Sequence, residues 1–369
     1  MVSVARRNLF QEKSRLLIST GGVAFALLLV LALDGILAGS LAQLTAYINN
    51  TRADVYVAQS GVRTMHMSTS ALPVSKVDEI RKVDGVAGVE PILYASNAVV
   101  AGDNRAVAYI VGFDSEQARG GPWRLASGSS DLKQGETVVD AVTATKLGVG
   151  LGDDVLILGK LFRVRGLSAG TSNFVNSIAF IRQKDFVALR GQPDTASYFL
   201  VWLAEGVSPE EGARRINANV RDVGALTRAE FAGEEARVVR DMSAEIMVIM
   251  SAIGFLIGLA AVGLTIYTAT LAKIREYGVL KALGASNAWL YRLVVEQAFW
   301  SVAIGAGSSV ALALALSLIF GVIMPDVPLR IELESVIKVF IGAGAIAVVA
   351  ATVPVAQIAR LDPIVVFRR

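Results

Sequence analysis

The chain has 369 residues, 54% of them hydrophobic and only 18% charged, with a net charge of +3. Ordinary soluble domains carry nearer ~25% charged residues, so this composition excludes the soluble class if the apolar residues are clustered. Cysteine is absent and His66 is the sole histidine. That excludes disulfide scaffolds, thiolate metal centres, iron–sulfur clusters, a cysteine nucleophile and any metal site built on several imidazoles. So small a net charge does not point to nucleic acid as a partner.

The apolar residues are clustered. Stretches 16–33, 246–271, 298–325 and 339–359 carry no charge, and a helix crossing a bilayer needs ~20 mostly apolar residues. The first stretch is too long for the apolar core of a signal peptide. Lys and Arg accumulate in cytoplasmic segments. Arg6, Arg7, Lys13 and Arg15 precede the first span, Lys273, Arg275, Lys281 and Arg292 separate the second from the third, and Arg360, Arg368 and Arg369 follow the fourth. All three basic segments fall on one side of a four-span topology, which makes that side cytoplasmic. The expected fold class is a membrane α-helical protein with four transmembrane helices and an α/β extracytoplasmic domain between the first and second.

In chain order, the expected segments are a cytoplasmic N-terminal segment (1–15), the first span with the start of a stalk (16–44) and the extracytoplasmic domain with its stalk (45–244). The second span (245–272), a cytoplasmic segment (273–295), the third span (296–324), a short outer loop (325–337), the fourth span (338–359) and a cytoplasmic tail (360–369) follow. Within the outer domain, strand-like runs fall at 53–58, 98–100, 107–112, 137–139, 154–158, 162–167, 177–181 and 198–203. Helical runs fall at 74–83, 141–147, 183–189 and 209–220, the last with Pro209 after Ser208 as an N-terminal signal. Residues 226–245 read as a polar helix, with Phe231, Ala232, Val238 and Val239 on its apolar side, running into the second span. No internal repeat is evident.

Directly after the second span comes Lys273-Ile274-Arg275-Glu276-Tyr277-Gly278-Val279-Leu280-Lys281-Ala282-Leu283-Gly284-Ala285-Ser286. Ile274, Tyr277, Leu280 and Leu283 recur at helical spacing among charges. Gly284 is placed to end the helix and Ser286 to cap the next. The spacing leaves two readings open: an amphipathic helix lying on the membrane surface, or a coupling helix that docks into a cytoplasmic partner.

This stretch resembles the cytoplasmic signature of the MacB/FtsX-type permeases of ABC transporters, R-x-R-E-x-G-x-L-[KR]-A-[LI]-G-A-S, with Lys273 at the first basic position as a mild departure. Ala5-Arg6-Arg7-Asn8-Leu9 with Lys13 and Arg15 resembles the family's amphipathic elbow helix, and the tail Ala359-Arg360-Leu361-Asp362-Pro363-Ile364 its C-terminal D-P motif. Val138-Val139-Asp140, 147–153 and 162–166 resemble its periplasmic core domain. The resemblance covers nearly the whole chain. It implies a half-permease of the inner (cytoplasmic) membrane that pairs as a homodimer, with one cytoplasmic ABC ATPase subunit per copy and an adaptor protein outside the membrane as a further candidate partner. Lys273, Arg275, Glu276, Tyr277, Gly278, Leu280, Lys281 and Gly284 would couple to the ATPase, and Arg6, Arg7 and Asn8 would belong to the elbow. The chain has no G-x-x-x-x-G-K-[ST] phosphate loop, since Gly159-Lys160 lacks the upstream glycine and is followed by Leu161. It is therefore expected to be non-catalytic and without a cofactor of its own, with ATP and Mg²⁺ bound by the partner.

The spans are almost bare of ionisable residues. Asp34 lies 19 residues past Arg15, about 28 Å along a helix and hence near the outer boundary. Glu245 and Glu296 open spans. Nothing polar lines mid-depth, which argues against a hydrophilic cargo and for a hydrophobic or amphiphilic one, such as a lipid, a drug or haem, or for no cargo at all. Gly254 and Gly258 form a G-x-x-x-G, expected to pack a dimer seam or, alternatively, the first span. Met65-His66-Met67 reads either as a ligand cluster for haem iron or copper or as a loop packing near the stalk. A Ser129 or Ser172 nucleophile would need His66 and lacks an elbow motif. Three functions remain: an exporter working by mechanotransmission, a signal transmitter that activates an extracytoplasmic protein, and a lipoprotein-releasing permease. The resemblance implies shorter, differently built outer loops for the second and a longer outer domain for the third.

Overall fold

The computed structural model describes residues 13–117, 119–172, 176–324 and 327–359. The elbow residues Arg6, Arg7 and Asn8 and the tail 360–369 lie outside them. In chain order the elements begin with α1 (Lys13–Leu44), α2 (Ala46–Asn50), β1 (Val55–Gln59), β2 (Leu72–Pro73), α3 (Lys76–Arg81), β3 (Val86–Ala101), β4 (Asn104–Phe113), β5 (Leu125–Gly128) and β6 (Glu136–Asp140). Then come α4 (Ala141–Leu147), β7 (Asp154–Ile157), β8 (Lys160–Ser168), β9 (Ser177–Arg182), α5 (Gln183–Arg190), β10 (Thr195–Ala196), β11 (Tyr198–Leu203), α6 (Pro209–Asn219) and β12 (Val223–Thr227). Four further helices complete the chain: α7 (Arg228–Ala272), α8 (Ile274–Ala282), α9 (Asn287–Ile323) and α10 (Leu333–Ala359). Two compact units result, one of residues 40–242 and one of residues 1–39 with 243–369.

The unit of residues 40–242 is built on one mixed sheet in the order β12-β1-β11-β3-β4-β9-β6-β8-β5, with β7 pairing β3 and β8. The 16-residue β3 joins its two halves, pairing β11 from Val86 to Ile92 and β4 from Leu93 to Ala101. Successive strand residues face opposite sides, and β11 shows the consequence. Tyr198 and Leu200 enter one buried cluster with Tyr47, Tyr56 and Phe231, while Phe199 and Val201 enter another with Val77, Ile80 and Ile216. Both faces are covered, so the strand is apolar throughout. Caps fix the helices. Asp140 accepts from the Val142 and Thr143 N–H groups at the start of α4, and Ser208 accepts from Glu211 at the start of α6.

The predicted helix at 226–245 begins two residues later. Thr227 and Glu230 form a reciprocal capping box, Thr227 N–H to Glu230 at 2.9 Å and Glu230 N–H to Thr227 at 3.1 Å. Residues 223–227 before it are strand β12, paired with β1.

Among the described residues, four helices are long and apolar enough to cross a membrane: 16–44, Arg228–Ala272, Asn287–Ile323 and 333–356. The cytoplasmic half of the third helix starts earlier than the expected span at 296, because Ser286 caps it and nothing breaks it before Ala298. Small residues bring the helices together. A Cβ on Gly22 would lie 2.6 Å from Ala261, and one on Gly305 2.7 Å from Val23. Large apolar residues such as Leu318, Val322 and Ile341 stay on the outside, where lipid rather than water is the natural neighbour.

Three glycines show how closely neighbouring segments approach the first and second spans. A Cβ on Gly254 would meet Val30 at 2.7 Å and one on Gly258 would meet Ile346 at 2.9 Å. Within this chain, the G-x-x-x-G of the second span thus stands against the first and fourth spans, the first being the neighbour its alternative reading names. Gly39 lies inside α1. Its Cβ position falls 2.1 Å from the Pro328 carbonyl oxygen, so glycine is required there for the loop before α10 to close onto the first span.

Candidate functional site

The segment 273–286 forms a short helix set off from α7 by a single residue. Lys273 has φ −104° and ψ 14°, and its N–H still bonds back to Ala269 and Thr270, both at 3.2 Å. The far end is a Schellman closure. Ala285 N–H donates to the Leu280 carbonyl at 2.9 Å and Gly284 N–H to Lys281 at 3.1 Å, with Gly284 at φ +96°. Ser286 then caps α9 through the Trp289 N–H. The break and restart were readable from Gly284 and Ser286 alone.

The two faces of α8 differ. Tyr277 and Gly278 are buried, and Tyr277 packs in the cluster of Leu290, Leu293 and Val294 with Leu280 at its edge. Burial, reinforced by the charge of Glu276, pushes the Tyr277 hydroxyl up to about 12, so it stays protonated. Arg275, Glu276 and Gly284 are exposed, Val279 is 40% exposed and Leu283 79%. The helical spacing places Leu283 on the apolar stripe, but it follows the last turn and projects outward instead. Ile274, Lys273 and Lys281 are half-buried. The exposed face thus joins an Arg and a Glu to two apolar side chains. Val279 and Leu283, which the resemblance does not assign to the ATPase, share this exposed face.

Met65, His66 and Met67 lie in the unit of residues 40–242 and do not share one environment. Met65 is buried while Met67 is 60% exposed. His66 Nδ1 stands 2.8 Å from Glu235 Oε1, and the Met65 N–H donates to Glu235 Oε2 at 2.6 Å. The imidazole packs against Tyr109 at 4.3 Å and Tyr94 at 5.9 Å between ring centroids. Burial first raises the Tyr94 and Tyr198 hydroxyls above their ordinary range, followed for Tyr94 by Tyr109 and then the Glu235 charge, and for Tyr198 by the Glu235 charge. Arg63 pairs with Glu234 at 2.8 Å alongside. The loop carrying His66 is therefore fastened to the first turns of α7. Among the described residues no group of three His, Asp or Glu side chains is arranged to hold a metal ion.

The sequence profile of the MacB-like periplasmic core domain matches residues 16–219, more than half of the chain, and that of the FtsX-like permease C-terminal region matches residues 248–363. The chain belongs to the MacB/FtsX family of ABC transporter permeases. It is 19% identical over 287 residues to an ABC transporter permease of Mycobacterium bovis, covering 77% of each chain. It is 20% identical over 331 residues to one of Mycobacterium tuberculosis, covering 88% of each. The periplasmic region of MacB from Actinobacillus actinomycetemcomitans aligns with a TM-score of 0.39 at 15% identity, over 51% of this chain and 94% of that one. The extracellular domain of the transporter YknZ from Gram-positive bacteria aligns with 0.35 at 15%, over 47% and 98%. This MacB/FtsX permease is a multi-pass membrane protein with a large extracytoplasmic loop, and its family implies a partner ATPase.

Proposed function

We propose that this permease is the non-catalytic subunit of an ATP-driven exporter in the cytoplasmic membrane. Closure of two partner ATPases is carried through α8 into α7 and on to the outer domain. The observation that carries this reading is the division of α8: Tyr277 and Gly278 anchor it in the helix bundle while Arg275, Glu276, Val279 and Leu283 remain exposed. A helix pinned on one face and open on the other can receive a push and pass it on. Connectivity supports the next step, because only Lys273 separates α8 from the unbroken 45-residue α7, whose first turns hold Phe231 and Glu235 in the outer domain's core.

The functional unit is a homodimer with one ATPase per copy, and the outer domain is the surface offered to an adaptor protein. The near-absence of charge within the spans supports a hydrophobic or amphiphilic cargo. Haem as cargo draws no support from Met65, His66 and Met67, whose surroundings differ. The test is Glu276→Lys in the full permease co-expressed with its ATPase. Loss of ATPase co-purification and stimulation, with normal membrane yield and thermal stability, is expected. Normal stimulation would remove α8 from the coupling route.

A further inference from the structure

The helix bundle carries a half-open cavity of about 270 Å³ between the first, second and fourth spans. Its body is apolar, with Leu31, Phe255 and Ile346 in the walls, and its polar residues are Asp34, Ser335 and Lys338. At roughly 30 Å³ per water-sized or methylene-sized group, the space holds about nine such groups, the bulk of one alkyl chain rather than of a folded peptide or a sugar. These dimensions and the apolar lining match an alkyl tail.

The charges at the polar end select the head. Asp34 accepts a hydrogen bond from the Ser335 hydroxyl, a neutral partner, and makes no ion pair among the described residues. Lys338 shares the rim, but its ammonium is already paired with Glu334 at 2.9 Å. Asp34 thus sets a carboxylate, bonded to a neutral hydroxyl, at the polar end of an apolar cavity, where a cation is favoured. We propose that this cavity binds a single-chain amphiphile with a cationic, ammonium-type head, the tail between the spans and the head on Asp34. As the cargo's identity, this rests on the exporter reading above; as a binding site, it stands by itself.

The test uses the full permease, without ATPase, in nanodiscs of zwitterionic lipid, and measures equilibrium binding of decyltrimethylammonium, decyl sulfate and decyl maltoside. Asp34→Asn removes the charge and keeps the shape. Gly342→Leu fills the chamber, since Gly342 lines it and a Cβ there meets nothing within 4 Å. Saturable binding of the ammonium compound is expected, with about tenfold weaker binding in Asp34→Asn and in the sulfate comparison, and loss of binding in Gly342→Leu. Equal binding of the three head groups, insensitivity to Asp34→Asn, or ammonium binding that survives Gly342→Leu would each overturn the proposal. Because no ATPase is present, ammonium binding in a permease whose Glu276→Lys variant couples normally would retain this site and reject the coupling route. The reverse pattern would reject the site alone.

Discussion

Glu235 makes contacts at once with the His66 imidazole and the Met65 N–H, and it is almost fully buried. Removing this carboxylate leaves the buried Met65 N–H without its acceptor. Glu235→Ala should therefore cost about 1–3 kcal/mol, read as a lowered unfolding temperature of the full chain and faster hydrogen exchange over 60–71. His66→Ala should destabilise in the same direction and leave transport by the surviving folded protein intact. Glu235 could have been found in the sequence. Phe231 and Ala232 mark the buried side of the helix, and positions four residues later fall on the same face, so 235 and 236 were due to be buried whatever their chemistry. Its partner could not, because His66 is 169 residues away. Glu90 is a second buried carboxyl, on β3 opposite Leu200. Burial, then the nearby Asp114 charge, pushes it from its ordinary 4.5 to about 7, against the opposing pull of Arg119. The folded state thus keeps a proton that the unfolded chain releases between those values. Stability falls as pH rises through this window and is level above it. Glu90→Gln should flatten the pH profile of the unfolding temperature between pH 5 and 8 and raise stability at pH 8 by at most ~3 kcal/mol.

At the scale of elements, the spans and most strands were legible because each follows from one physical rule, charge-free length for the spans and alternation or apolar runs for the strands. Two of the strand segments that escaped share a reason. The first half of β3 carries Gly88, Glu90 and Pro91, and β12 carries Gly224, residues that weaken a strand signal and are tolerated here because neighbouring strands supply the pairing. Whether a glycine marks a turn, a kink or a close contact was equally hidden, since the answer depends on what lies opposite. Gly254 faces Val30, so Gly254→Leu should overpack the bundle by about 1–3 kcal/mol and lower the unfolding temperature. A seam between copies would instead show as loss of the dimer at unchanged unfolding temperature. Gly284 is different, because its φ of +96° is what closes α8. Gly284→Val should strain that turn by roughly 1–3 kcal/mol and reduce ATPase stimulation more than it reduces yield.

For the whole molecule, the decisive features are the exposed face of α8 and the helix that follows from it back through the membrane. The basic segments put residues 273–286 on the cytoplasmic side, and the exposure of Leu283 makes it the residue a partner would cover. The chain contains no cysteine, so a single Leu283→Cys gives an unambiguous probe. The most direct measurement is the labelling of that cysteine by a membrane-impermeant maleimide, with and without the ATPase and ATP. The account predicts labelling only after the membrane is opened, and strong protection when the ATPase is bound. Labelling from intact cells, or a cysteine equally reactive in the assembled complex, would contradict it.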